Sequence, residues 1–145
     1  MSMLFGKKKR LIVRLLVVED EPLVAFDTEY FLTESKFTVV ATVDRVSDAL
    51  AVIDAGSAID LVLADVSLSD GSGLDVARAA QARGVPVLFV TGNCPIEAMT
   101  LAAGCLSKPY SQRDLLGAIA AIEATLGGTA PKRLPSGLRL FSLPA

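Results

Sequence analysis

Four stretches of this chain set a reactive side chain directly after an apolar run. Leu15-Leu16-Val17-Val18 leads into Glu19-Asp20-Glu21 and then Pro22. Leu61 to Ala64 leads into Asp65, Val85 to Val90 (VPVLFV) into Thr91, and Gly104 to Ser107 into Lys108-Pro109. Crowded carboxylates raise one another's pKa and oppose ionisation. A hard divalent cation removes that difficulty. Mg²⁺ takes octahedral oxygen ligands, typically a few carboxylates with waters and phosphate oxygens. A carboxylate left unshared beside such an ion can attack phosphorus and form an aspartyl phosphate. The transferring group spreads its charge over three equatorial oxygens, so the chemistry is mostly positioning and neutralisation. On this reading Mg²⁺ takes one oxygen and Lys108 another. Thr91, with nearby backbone N–H groups, takes the third.

These groups meet only if the elements before them are parallel strands. Residues 14–18 (RLLVV) read as a buried strand. Pro22 suits the first turn of a helix. Leu23, Phe26 and Tyr30 recur at three- and four-residue steps, so 22–35 reads as an amphipathic helix. Residues 37–43 are β-branched and strand-like. Ser47 or Asp44 is placed to cap a helix over 47–55, ended by Gly56. A third strand spans 60–64, and a turn-rich loop (DVSLSDGSGLD) precedes a helix over about 73–83. A fourth strand covers 85–90, a short helix 95–102, a fifth strand 104–107 and a last helix about 111–126. That alternation is (βα)₅, an α/β fold with a doubly wound, five-stranded parallel sheet. Ligands of such sheets bind outside the carboxyl ends of the strands, near a switch in strand order. Glu19, Asp20, Asp65, Thr91 and Lys108 all fall there.

Composition narrows the function classes. The 145 residues are 52% hydrophobic with mean hydropathy +0.52, yet no apolar run approaches a membrane span. A parallel sheet buried on both faces accounts for the excess. Net charge is −2, which argues against nucleic acid as partner. The basic run Lys7-Lys8-Lys9-Arg10 reads as a solvated arm, residues 1–12. Arg14 and the acids at 19–21 interrupt the apolar stretch that a signal peptide would need. Histidine is absent, which excludes Cys-His metal sites and Cys-His nucleophile pairs. Cys94 and Cys105 read as free, inert packing thiols in a reducing cytoplasm. "DVSLSDGSGLDV" fails as a calcium loop, because Asp70 and Val76 stand where glycine and a bidentate Glu are needed. "GSGLDV" lacks the third glycine of a dinucleotide fingerprint.

Taken in order, "VVEDEP", "DLVLADVSLSDGSGLD", "PVLFVTGN" and "KPY" resemble the receiver domains of bacterial two-component response regulators over about residues 13–126. The resemblance implies a flavodoxin-like receiver fold in a single-domain, cytoplasmic regulator. It implies that Asp65 accepts a phosphoryl group from a histidine kinase or a histidine phosphotransfer protein. Glu19, Asp20 and Asp65, with the main-chain carbonyl of Ser67, would hold Mg²⁺. Thr91 and Lys108 would assist the transfer, and the proline after Lys108 would be cis. The acid pair begins with Glu19 where Asp is common. The family's switch aromatic is replaced by Cys105, and the Thr91–Lys108 interval is short. With "P-x-x-F-x-T-G", these features resemble the FAT GUY subgroup of receivers, although Val90 and Asn93 depart from its pattern. Tyr110 is then the substitute signalling aromatic.

Output is expected through residues 95–126, by contact with a downstream protein or with a second copy in a homodimer. The rival reading is a receiver-shaped docking adaptor that is never phosphorylated. An aspartate-nucleophile phosphatase would need a second acid two residues after Asp65, and Ser67 stands there. The tail, 127–145, is either disordered or docked through Leu138, Leu140, Phe141 and Leu143.

Overall fold

The computed structural model describes residues 10–141. Lys7, Lys8, Lys9 and Leu143 lie outside the described residues. Strands and helices alternate as β1 (Arg14–Val18), α1 (Pro22–Glu34), β2 (Thr38–Val43), α2 (Val46–Asp54) and β3 (Leu61–Ala64). A small hairpin follows, β4 (Ser67–Leu68) with β5 (Gly71–Ser72), and then α3 (Gly73–Ala82). The chain continues through β6 (Val87–Thr91), α4 (Ala98–Leu101), β7 (Gly104–Ser107), α5 (Gln112–Leu126) and β8 (Leu138–Leu140). The main sheet runs β2-β1-β3-β6-β7-β8. Its first five strands are parallel, as the alternation requires. Strand order reverses between β1 and β3, and the crevice at their carboxyl ends is where such sheets bind ligands.

Apart from Arg14 and Thr91 at their ends, β1, β3 and β6 are apolar, because each of their faces is covered. Leu15 and Val17 of β1 pack under α1 and α5 with Leu32, Leu115, Ile119 and Ile122. Leu16 and Val18 point the other way, toward Val46, Val76 and Phe89. Period-two alternation of side chains therefore feeds two cores from one strand.

Several local expectations are corrected. Leu23, Phe26 and Tyr30 of α1 face solvent, at 80%, 69% and 62% exposure. Thr28 and Leu32 form the buried side, helped by Phe31. This helix carries two apolar stripes, and periodicity alone does not say which one meets the sheet. Neither Ser47 nor Asp44 caps α2. The carboxylate of Asp70, reaching from the β4–β5 turn, accepts from Val46 N at 2.6 Å and Ser47 N at 3.2 Å. Local sequence does yield the start of α5, where Ser111 and Asp114 form a capping box.

The largest addition is a sixth strand. β8 pairs antiparallel with β7, so the expected five-stranded parallel sheet gains an antiparallel edge. Of the two readings of the tail, docking holds for Leu138 and Phe141, which are buried, and for half-buried Leu140, which packs on the first core. Two glycines admit this strap. A Cβ on Gly104 would meet the Arg139 carbonyl oxygen at 2.8 Å, and one on Gly117 would meet Pro135 Cγ at 2.9 Å. The 1–12 arm also shortens. Ile12 is a core residue, its N–H bound by Glu123, and Arg10 donates to the carbonyls of Ser35 and Lys36.

Candidate functional site

β1 and β3 are neighbours in register, with Val18 opposite Ala64, so the residues that follow them emerge side by side. Glu19 and Asp65 are both buried, and Asp20 is half-buried. One oxygen from each of these three carboxylates lies within 4.8 Å of the others. β7 brings in Lys108, whose backbone N–H is held by the Thr91 carbonyl at 2.9 Å. Its ammonium donates to Asp65 Oδ2 at 2.8 Å and Glu19 Oε1 at 3.2 Å, with Glu21 Oε1 at 3.8 Å. The Lys108–Pro109 peptide is cis. Thr91 is buried at the end of β6, its hydroxyl in long contacts with the backbone of Asn93.

The electrostatics follow from burial. Desolvation pushes the Glu19 carboxyl above the usual range, opposed by the Glu21 N–H and by Lys108. Burial pulls Lys108 down, but its bonds to Asp65 and Glu19 and their charges outweigh that and raise it. Lys108 is therefore a fixed cation that neutralises part of an acidic cluster. Three hard oxygen donors with an incomplete positive partner suit a divalent ion such as Mg²⁺.

Asp65 is aimed by its loop. Ser67 N donates to Asp65 Oδ1 at 3.2 Å. Gly73, the first residue of α3, lies so close that a Cβ there would meet the Asp65 carbonyl oxygen at 2.1 Å. Gly73 N is bonded to the Val66 carbonyl at 2.6 Å. In the sequence Gly73 is one residue of a turn-rich loop; only the approach of α3 to the Asp65 backbone reveals its role. In the sequence Glu21 is likewise only one of three consecutive acids. Its N–H holds Glu19 Oε2 at 3.1 Å.

The structure thus brings Glu19, Asp20, Asp65 and Lys108 together, with Thr91 tied to the Lys108 backbone. Tyr110 is half-buried against the α1–α5 core, where burial pushes its phenol pKa up and a bond to Thr28 opposes the shift. With Glu21, Val24, Thr28, Phe31 and Lys108 it lines a cavity of about 580 Å³ beside the acidic cluster. Cys105 is buried on the opposite face, in the layer of Phe89 and Ala98.

Comparison with known proteins agrees with this geometry. Residues 15–120 match the response regulator receiver domain, and the chain belongs to that family. It is 35% identical over 113 residues to the sensory transduction protein RegX3 of Mycobacterium tuberculosis, covering 74% of this chain and 49% of that one. The chain spans about half the length of this and the other curated relatives it matches first. Among solved structures, a response regulator receiver protein from Sinorhizobium medicae shares 26% identity with a TM-score of 0.67, covering 77% of this chain and 94% of the other. The solution structure of SdrG from Sphingomonas melonis shares 33% identity with a TM-score of 0.64, covering 79% and 98%. The fold is thus the CheY-like, flavodoxin-like receiver fold. Among the described residues, no helix is long and apolar enough to cross a membrane.

Proposed function

We propose that this chain accepts a phosphoryl group on Asp65 from a phosphohistidine of a kinase or phosphotransfer protein and signals by phosphorylation-dependent protein contact. One observation carries this function: Lys108 bridges Asp65 and Glu19 while Asp20 completes a three-carboxylate cluster. Glu19, Asp20 and Asp65, with the Ser67 carbonyl, would hold Mg²⁺, which supplies charge neutralisation at the phosphoryl oxygens. An Asp65 carboxylate oxygen attacks phosphorus, a P–O bond forms, and the P–N bond to the donor imidazole breaks. Lys108 releases Asp65 Oδ2 to meet a phosphoryl oxygen. Thr91 gives up its long contacts with Asn93 and donates its hydroxyl to another. The added charge, close to two units, draws these groups inward and biases the loop at 91–95. The exposed Leu23, Phe26 and Tyr30 of α1, the helix that follows Glu19 and Asp20, offer the donor protein an apolar landing surface.

Incubation with a small acyl phosphate and Mg²⁺ tests this, read by intact mass. The expected result is one phosphoryl adduct, lost with a chelator and absent in Asp65→Asn. No adduct on the wild-type chain, with partner binding indifferent to Asp65→Asn, would establish the docking adaptor instead.

A further inference from the structure

The segment after α5 lies beyond the family match, which ends at residue 120. Gly128 takes φ +82° there and turns the backbone back along the helix. Thr129 N and the Thr129 hydroxyl both donate to the Ala124 carbonyl, which fixes the start of the returning segment. Further on, Pro135 packs against Gly117. The Gly137 carbonyl then accepts from Ser107 N, just before β8 joins β7. Residues 129–135 are therefore held at both ends and run antiparallel to α5. Between them and the helix lies an open groove of about 560 Å³. Its floor is Gly117, Ala120, Ala121 and Ala124, small residues spaced to share one helix face. Pro131 and Pro135 stand on the opposite wall.

Charge selects the occupant. Arg113 lines the groove from α5, and Lys132 and Arg133 line it from the returning segment. All three are exposed, and among the described residues none is in an ion pair. Asp114, the acid of the groove, is engaged with Ser111 N in the capping box. The whole chain carries a net charge of −2, so this cationic groove is a local departure that an anionic partner answers. Its cations stand at an open rim, which suits a chain laid along the groove and not a small molecule enclosed on all sides. From Arg113 to Ala124 the helix rises about 16 Å, at ~1.5 Å per residue. An extended segment of about five residues spans that length, at ~3.3 Å per residue. The small floor lets its backbone come close, and its acids reach cations on both walls.

We propose that the groove between α5 and residues 129–135 docks an extended acidic peptide segment of a partner protein, held by Arg113, Lys132 and Arg133. Docking here is independent of the phospho-acceptor reading, because no residue of the groove belongs to the acidic cluster or is its lysine.

The test selects displayed random peptides of about nine residues against the full chain and measures an enriched peptide by fluorescence anisotropy. Asp and Glu should be enriched over the input library. Affinity should fall about tenfold or more in the double variant Lys132→Glu/Arg133→Glu. It should fall comparably in Ala120→Trp, which fills the floor and leaves every charge in place. Both variants change exposed residues, and a far-UV spectrum checks that they fold. Binding should weaken as salt rises and stay unchanged in Asp65→Asn. Enriched peptides without acids, or an acidic peptide indifferent to both variants, would overturn the proposal, as would a selection that yields no binder. If phosphatidylglycerol vesicles or a single-stranded oligonucleotide bind through Lys132 and Arg133 where acidic peptides do not, the groove faces a membrane or a nucleic acid instead. A loss of peptide binding in Asp65→Asn would tie the peptide to the acidic cluster and remove it from this groove.

Discussion

Carboxylates crowd both ends of the main sheet, and their partners differ. At the amino ends of the strands, Asp60 Oδ2 accepts from Val13 N and Arg14 N, each at 2.9 Å. Glu123 Oε2 accepts there from Leu11 N at 2.6 Å and Ile12 N at 2.9 Å. These acids clamp the entry to β1, and backbone donors satisfy them. At the carboxyl ends, Glu19 and Asp65 are more deeply buried, and each takes one backbone N–H while both lean on one shared ammonium. A carboxylate saturated by backbone N–H groups is structural. One that shares a single cation with its neighbours keeps lone pairs for a metal ion or a phosphorus atom. The residue type is the same at both ends, and the donor geometry separates the roles.

Mutations at the two ends sharpen or break that contrast. Lys108→Ala should have the largest effect, slowing phosphoryl uptake by about tenfold or more by removing the fixed cation. An unchanged rate by intact mass would show that the carboxyl end does not depend on its lysine. Gly73→Ala comes next. Its Cβ would overlap the Asp65 carbonyl, so the loop must shift, costing about 1–3 kcal/mol in urea unfolding and lowering uptake as well. A variant as stable and as active as wild type would mean that α3 does not position Asp65. Asp60→Ala should cost about 1 kcal/mol through the lost acceptor for two N–H groups and leave phosphoryl uptake as it was. A matching fall in uptake would erase the distinction between the two ends.

Asp70→Ala should have the smallest effect and a clear pH signature. The N–H of Val46 holds the Asp70 carboxylate below its usual 3.8. A lowered folded pKa means that the contribution is fully present above 3.8 and is lost as pH falls through the folded value. The variant should melt below wild type at neutral pH, and the gap should close in strong acid. A gap that persists there would remove the carboxylate from the cap.

Much of the site was legible because its residues end strands. Once β1, β3, β6 and β7 were identified as parallel strands, Glu19, Asp65, Thr91 and Lys108 had to share one end of a sheet. Asp70 shows why other roles were not legible. It caps a helix that begins 24 positions earlier, and no spacing rule connects a turn to a distant N-terminus. The α1 stripe failed for another reason, since Leu23, Phe26 and Tyr30 have the periodicity of a buried face and face solvent instead. Tyr110 follows Pro109 in the chain, and only packing shows that it lines one cavity with Thr28 and Phe31.

The order of apolar runs and the residues that close them determined, without coordinates, a parallel α/β sheet with an acid–hydroxyl–lysine mouth. That much is local, because strand identity and strand-end chemistry are written in adjacent residues. Tertiary structure alone decided that the tail returns as β8, that Gly73, Gly104 and Gly117 make room for passing backbone or for Pro135, and that Asp70 reaches the start of α2. Each of these is a contact between segments distant in the chain, set by how the packed layers close and not by any nearby pattern.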